Sequence, residues 1–273
     1  MIAERALSPN EAEFEFYNQN LNGSLQMQLC LRISGPLSYE ILQRALRLLQ
    51  SEHRLLQARI AGSNGDGLHY EVDDALEIPI RLVPRESGGD QARQWRDVIQ
   101  EELNSALDTG SGLMRVAYIP AGEGADSLHD VIIKAHHGIM DAASMMHVYG
   151  RLLEYCGMLA EGQNPGQPRT PRSISPPTTE LLPLRGLALR WRLFRFMTYM
   201  MWSMITKKPK PMPIVDFAPV DQQQSSFVDV RLPAGLLARL VERARNEGSS
   251  VTAALAAAML RGTRRLMAGD EAM

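Results

Sequence analysis

The stretch that decides the fold is Val131-Ile132-Ile133-Lys134-Ala135-His136-His137-Gly138-Ile139-Met140-Asp141. Its apolar first half predicts a strand. Asp141 predicts the start of a helix, because an aspartate carboxylate at that position can accept backbone N–H bonds. Side chains alternate between the two faces of a strand, so the adjacent imidazoles of His136 and His137 cannot point the same way. One of them can then face a cleft as a general base while the other is held in the structure.

Residue types alone leave several interpretations of this histidine pair open. A neutral imidazole titrates close to physiological pH, which suits a general base. A metal site needs converging ligands, whereas adjacent strand histidines diverge, and the sequence contains no HExxH motif. A Ser-His-Asp hydrolase has little support, because no GxSxG elbow is present. A purely structural role for both histidines near a turn is at least as well supported by the residue types as a catalytic role.

The pattern on either side of the motif predicts an α+β fold. Residues 24–33 alternate apolar and polar side chains as a strand does, and residues 39–49 place apolar side chains at helical spacing, with Ser38 as the N-cap. The order of elements predicts a two-layer sandwich in which a mixed sheet is backed by helices. Further strands are predicted at 55–60, 69–72, 78–83, 113–119, 129–134 and 226–232, and further helices at 90–107, 142–159, 233–246 and 251–267.

Composition excludes some classes of function. The chain of 273 residues is 45% hydrophobic and 22% charged, as expected of a soluble globular protein. A formal net charge of -2 gives no electrostatic argument for nucleic-acid binding, and none is expected. Cys30 and Cys156 form no CxxC pair, so they are predicted to be buried apolar side chains rather than redox groups or metal ligands. Residues 1–5 lack an apolar signal core, which predicts a cytoplasmic protein.

A segment rich in Pro, Gly, Ser and Thr at residues 162–178 predicts a linker. The stretch that follows, residues 181–205, mixes apolar residues with four arginines and predicts a basic amphipathic helix. It is a poor membrane span, because each central arginine costs roughly 2.5–3.5 kcal/mol on insertion scales. The helix can lie on a membrane surface or a lipid substrate. A helix packed on its own protein, with its arginines reaching water, is the favoured interpretation.

The run His136-His137-Gly138-Ile139-Met140-Asp141-Ala142 resembles the HHxxxDG motif of the superfamily that contains chloramphenicol acetyltransferase. That superfamily also holds nonribosomal peptide condensation domains and polyketide-associated acyltransferases. The segment Glu52-His53-Arg54-Leu55-Leu56 is similar to the family's H-xx-LR segment, and the order of elements matches as well. The resemblance covers most of the chain, although only the histidine motif is specific. It implies the N-terminal domain of a chloramphenicol acetyltransferase-like fold, followed by a truncated second domain.

The same resemblance implies roles for the motif residues. The second histidine of the motif is the catalytic base, which assigns that role to His137, while His136 and Asp141 support the site. His137 would deprotonate an alcohol or amine acceptor, which would attack an acyl thioester on coenzyme A or on a carrier protein. No metal or redox cofactor is implied. The motif aspartate usually pairs with an arginine, which the sequence does not identify.

This sequence departs from the family pattern in two ways. Ala142 stands where the motif ends in glycine, and no DFG-type segment is present. The expected organisation is an N-terminal acyltransferase-like domain at 1–162, a linker with the basic helix at 163–215, and the incomplete start of a C-terminal domain at 216–273. The chain is then expected to act as an acyltransferase if a separate C-terminal half completes it. The alternative is an inactive homologue, or half of a split enzyme, that serves as a binding module.

Overall fold

The computed structural model describes residues 2–62, 67–87, 93–122, 128–166, 168, 173–181, 186–208, 218–219, 222–233 and 235–268. The chain forms two compact units. The first comprises residues 1–183 and 220–226, and the second comprises residues 184–219 and 227–273. The three-part organisation expected from the sequence stays a prediction.

The first unit carries the strands and most of the helices. Its strands are β1 (Ile2–Ala6), β2 (Met27–Ile33), β3 (Ala58–Ala61), β4 (His69–Val72), β5 (Ile80–Leu82), β6 (Met114–Ile119) and β7 (His129–Ala135). Its helices are α1 (Pro9–Asn20), α2 (Tyr39–Glu52), α3 (Gln94–Leu103), α4 (Ala142–Ala160) and α5 (Thr178–Leu181), and a 3-10 helix spans Arg54–Gln57.

A mixed four-stranded sheet holds the histidine motif. Its strand order is β2-β7-β6-β5, with β7 antiparallel to both neighbours and β5 parallel to β6. Val131, Ile133 and Ala135 are buried on the face that packs against α2 and α4, which forms the main core. The intervening Lys134 points to the other face, where its Nζ donates to the main-chain oxygen of Glu102 on α3. The predicted α+β fold with a helix-backed mixed sheet is confirmed, and α3 covers part of the second face.

A second, three-stranded antiparallel sheet has the order β1-β4-β3. Tyr70 of β4 is fully buried in its core. The Arg5 guanidinium lies 5.0 Å from the centre of the Tyr70 ring and holds the Glu11 carboxylate through two hydrogen bonds of 2.7 and 2.8 Å. Arg5 therefore connects this sheet to helix α1.

Helix α1 was not predicted from the sequence. Pro9 occupies its first turn, and the Glu11 carboxylate accepts the N–H of Ser8, the N-cap residue. The residues that α1 buries are polar: Glu11, Glu15 and Asn18. An apolar stripe at helical spacing is therefore missing, although the helix packs into the interior of the unit.

The second unit contains α6 (Leu187–Lys207), α7 (Leu236–Asn246) and α8 (Val251–Ala268), of which α7 and α8 pack on each other. The strand predicted at residues 226–232 is wrong, since residues 223–233 form no regular structure. Val228 and Val230 are 86% and 76% exposed. A strand needs a neighbour to satisfy its backbone groups, and no described strand pairs with this segment. No helix in the described ranges is long and apolar enough to cross a bilayer.

Candidate active site

The histidine motif occupies the turn between β7 and α4. Ala135, the last residue of β7, pairs with Met27 on one neighbouring strand and Met114 on the other, so the start of the turn is fixed on both sides. Asp141 ends the turn as the N-cap of α4, where its Oδ1 accepts the Ser144 N–H at 2.8 Å and the Ser144 hydroxyl at 2.7 Å. The predicted cap is confirmed. The Ser144 N–H also lowers the pKa of the Asp141 carboxyl.

His136 is the buried histidine of the pair. Its side chain is fully buried, and its Nδ1 accepts the N–H of Gly138 at 3.1 Å. An imidazole nitrogen that accepts a hydrogen bond carries no proton, so the ring proton lies on Nε2. That nitrogen lies 3.1 Å from Oε2 of Glu15. His136 therefore links the motif turn to helix α1.

Glu15 is the buried partner that the sequence did not indicate. Its carboxylate is 1% exposed and accepts the Thr109 hydroxyl and the Gln19 amide, both at 2.6 Å. Burial raises the pKa of this carboxyl, but the interactions with His136 and Thr109 lower it by more, so the net shift is downward. The charged carboxylate is thus fixed against His136 by several donors.

Only glycine fits at position 138, because the main chain there lies close to the side chains of His136 and Tyr70. A Cβ atom at this position would lie 2.8 Å from Nδ1 of His136 and 3.0 Å from Oη of Tyr70. Burial raises the pKa of the Tyr70 phenol, and its hydroxyl has no hydrogen-bond partner among the described residues. The motif turn can therefore sit against the three-stranded sheet only with glycine at this place.

His137 points to a different environment from His136. Its ring stacks on Phe14 of α1, with 4.3 Å between the ring centres and 2° between the planes. Its main-chain N–H donates to the Gln26 side chain at 3.2 Å. Neither of its ring nitrogens has a hydrogen-bond partner in the described part of the chain. The stack fixes the plane of the imidazole while leaving both nitrogens available for a bound molecule.

A cleft of about 320 Å³ lies beside this ring. The N-terminal part of α1 forms one wall, and the motif turn with the start of α4 forms the other. The lining residues are Ser8, Asn10, Glu11, Phe14, His137, Gly138, Ile139, Met140, Asp141 and Ser144. An imidazole in this position can accept a proton from an alcohol or amine that enters the cleft.

A separate cavity of about 450 Å³ lies between the end of α2 and helix α4, and it shares Ile139, Met140 and Ser144 with the cleft. His53 lines it, with its ring centre 6.5 Å from that of His147. Burial lowers the pKa of His53. No group of three or more His, Cys, Asp or Glu side chains within the described ranges is placed to hold a metal ion.

The segment that resembles H-xx-LR has a structural role here. Glu52 at the end of α2 accepts hydrogen bonds from Arg151 of α4 at 2.8 Å and from the Tyr155 hydroxyl at 2.6 Å. Arg54 pairs with Asp74. Asp141, in contrast, contacts no arginine among the described residues, so its family-type partner is not found. Two residues that contact the motif histidines, Phe14 and Glu15, lie on the helix that sequence reasoning missed.

Comparison with known proteins agrees with this architecture. The family model for the condensation domain matches residues 16–173. Nonribosomal peptide synthetase kk1B of Curvularia clavata is 26% identical over 140 residues, which are 51% of this chain. Cyclosporin synthetase simA of Tolypocladium inflatum is 27% identical over 147 residues, which are 54% of this chain. The match spans about 1% of the length of each of these relatives.

Solved structures share the fold at low sequence identity. The first condensation domain of the calcium-dependent antibiotic synthetase, in complex with substrate analogue 2a, aligns with a TM-score of 0.65 and 18% identity. That alignment covers 98% of this chain and 62% of the solved one. The X-domain from teicoplanin biosynthesis aligns with a TM-score of 0.51 and 15% identity, covering 77% of this chain and 41% of the other. With its strands, motif turn and family match in agreement, the chain belongs to the condensation-domain family.

Proposed function

We propose that this chain carries out condensation-type acyl transfer, with His137 as the general base. The acyl group comes from a thioester, and the acceptor is an amine or an alcohol. The observation that carries this proposal is the placement of the His137 ring, which is stacked on Phe14 at the edge of the cleft, with neither nitrogen hydrogen-bonded to any residue that the structure describes. The part of this chain that matches the condensation-domain family model, residues 16–173, includes the histidine motif.

The proposed reaction needs only proton transfer and acyl exchange. The acceptor nitrogen or oxygen forms a bond to the thioester carbonyl carbon while His137 takes its proton. The tetrahedral intermediate then collapses, the C–S bond breaks, and the proton returns from the imidazolium to the departing sulfur. The products are an amide or ester and a free thiol. No metal or further cofactor enters this scheme.

The neighbours of His137 act as positioning residues in this proposal. Glu15 and His136 hold the first half of the turn, and Asp141 holds its end on α4. Condensation domains act on thioesters bound to carrier proteins, so an acyl carrier protein is the partner that we propose. Coenzyme A offers the same thioester chemistry and is the second donor to test.

The test measures thiol release by the purified chain with a panel of acyl-coenzyme A and acyl-carrier-protein donors and amine or alcohol acceptors. We expect acceptor-dependent thiol release that His137→Ala reduces by roughly 100-fold or more, the range for loss of a general base. His69→Gln is the matched control, because His69 lies on β4 and does not line the cleft. Equal rates in wild type and His137→Ala would refute the catalytic assignment.

A second candidate is half of a split enzyme that is completed by another chain. Large apolar side chains on α7 and α8 favour it, since Leu237, Met259 and Leu260 are 56%, 74% and 71% exposed. Exposed apolar surface of this kind often marks an interaction site. If two copies complete each other, the specific activity rises with protein concentration. A specific activity that stays constant over a wide dilution range excludes completion by a second copy.

A further inference from the structure

We propose that helix α6 binds the surface of an anionic membrane, lying in the plane of the lipid headgroups. The helix is 21 residues long, and its large apolar side chains face solvent. Trp191, Phe196 and Ile205, spread along its length, are 64%, 57% and 69% exposed. A helix that packs its apolar face against protein would bury such residues. Their exposure favours the lipid interpretation over the packed one that the sequence suggested.

Polar residues of α6 form a stripe on one side of the helix. Arg192, Arg195, Tyr199, Ser203 and Thr206 follow one another at spacings of three or four residues, which places them on one face. The rest of the circumference is mostly apolar. A helix with a polar face bearing cations and a broad apolar face bearing Trp, Phe and Leu is the type that lies in a membrane interface.

The opposite face carries long flexible side chains. Leu193, Met197, Met200, Met201 and Met204 lie across the helix from the polar stripe. With the stripe toward water, these side chains would enter the boundary between headgroups and acyl chains. Trp191 and Trp202 would lie between the two faces, at the depth where indole rings are enriched in membrane proteins.

The charge of this region selects an anionic surface. Residues 185–210 contain seven Lys and Arg and no Asp or Glu, although the whole chain has a formal net charge of -2. Clustered cations next to an apolar helix are attracted to anionic lipids. A second copy of the chain would bring an equally basic helix, and the like charges would repel. The charge pattern therefore favours lipid over self-association as the occupant of this surface.

The position of the cations favours binding in the plane over crossing. Arg190, Arg192 and Arg195 interrupt the N-terminal half of α6, and Lys207 ends it. The uncharged stretch from 196 to 206 is about half the length that a spanning helix needs. Arg190 lies on the apolar face, three residues before Leu193, but it is in the first turn of α6, and its long side chain can reach the headgroups from the helix end.

Vesicle flotation of the full chain tests the proposal. We expect the chain to float with vesicles of phosphatidylcholine and phosphatidylglycerol and to remain in the dense fraction with phosphatidylcholine alone. In the Trp95→Phe variant both remaining tryptophans lie in α6, so their emission should shift to shorter wavelength when anionic vesicles are added. Absence of flotation with anionic vesicles, or equal binding to both kinds, would overturn the proposal.

Substitutions on exposed positions of α6 separate its two faces. Arg192→Gln with Arg195→Gln should lower the vesicle partition coefficient on the order of 30-fold, from the contribution of each cation near an anionic surface. Met201→Glu and Ser203→Glu make the same change of charge on opposite faces. Met201→Glu should lower the partition coefficient much further than Ser203→Glu, and equal losses would contradict insertion of the apolar face. None of these residues lines the cleft, so the outcome does not depend on the role of His137.

Discussion

The Glu15 carboxylate and the His136 imidazole face each other in the interior of the first unit, with 3.1 Å between Oε2 and Nε2. Neither side chain is more than 1% exposed. Nδ1 of the same ring accepts the Gly138 N–H, so the two nitrogens of His136 face the motif turn and the Glu15 carboxylate. Helix α1 and the motif turn are therefore joined by one side chain, and the position of His137 depends on a contact 121 residues apart in the sequence.

Glu15→Ala should destabilise the fold, because it removes the carboxylate that faces the buried Nε2 of His136 and that accepts the Thr109 hydroxyl. Leaving a buried neutral donor without its acceptor costs about 1–3 kcal/mol. The free energy of unfolding from urea denaturation measures this loss. Glu13→Ala, on the exposed side of the same helix, is the control and should change the free energy by less than about 0.5 kcal/mol.

The Glu15 contact should also make stability depend on pH. The folded pKa of Glu15 lies below that of an unfolded glutamate, so its contribution is fully present above the unfolded pKa. It is lost as the pH falls through the folded pKa. The difference in unfolding free energy between wild type and Glu15→Gln should therefore shrink on acidification. A difference that stays constant between neutral and acidic pH would show that the carboxylate charge does not stabilise the fold.

Gly138→Ala should destabilise the motif turn, because the added Cβ would lie 2.8 Å from Nδ1 of His136. Overpacking of a filled interior costs about 1–3 kcal/mol. Gly150→Ala is a matched control on α4, where nothing lies within 4 Å of the added Cβ. Alanine is favoured over glycine inside a helix by about 1 kcal/mol, so this second variant should be more stable than wild type. Thermal unfolding of the two variants gives the comparison, and similar shifts would argue against the close approach.

The free energy of unfolding of the wild type should rise between pH 8 and pH 10, and Lys134→Met should remove this rise. Burial lowers the pKa of Lys134 to about 8, from 10.5 in the unfolded chain. Between these values the unfolded chain binds more protons than the folded one, so stability rises with pH. The gain expected from Lys134 between pH 8 and pH 10 is about 2 kcal/mol. Urea denaturation of wild type and variant at the two pH values measures it, and parallel profiles would contradict the lowered pKa.

The elements with an apolar face could be predicted from the sequence. Strand β7, helix α2 with its Ser38 cap and helix α4 with its Asp141 cap all lie where the periodicity placed them. Their apolar residues face the common core, which is the condition under which periodicity is informative. His136 and His137 do lie in different surroundings, but not for the predicted reason, because both follow the end of β7 and their side chains are separated by the turn rather than by alternation in a strand.

The missed helix α1 and the wrongly predicted strand at 226–232 have a common physical cause. Helix α1 escaped prediction because its buried side is polar, with Glu15 and Asn18 in the interior, so its apolar residues show no helical period. The signal that could have found it is the opening Ser8-Pro9-Asn10-Glu11, a capping pattern with proline in the first turn. The alternation at 226–232 predicted a strand that lacks a described neighbour. Both outcomes depend on partners distant in the sequence, which local patterns do not contain.

The buried polar side of α1 has a practical consequence for shortening the protein. The family match starts at residue 16, one position after Glu15 and two after Phe14. A version trimmed to that boundary would keep both motif histidines, yet it would lose the ring that stacks on one and the carboxylate that faces the other. A loss of function in such a version would then reflect the missing contacts and not the chemistry of the motif. Expression trials should therefore retain the residues from Ser8 onward, together with β1, whose Arg5 anchors the start of the helix.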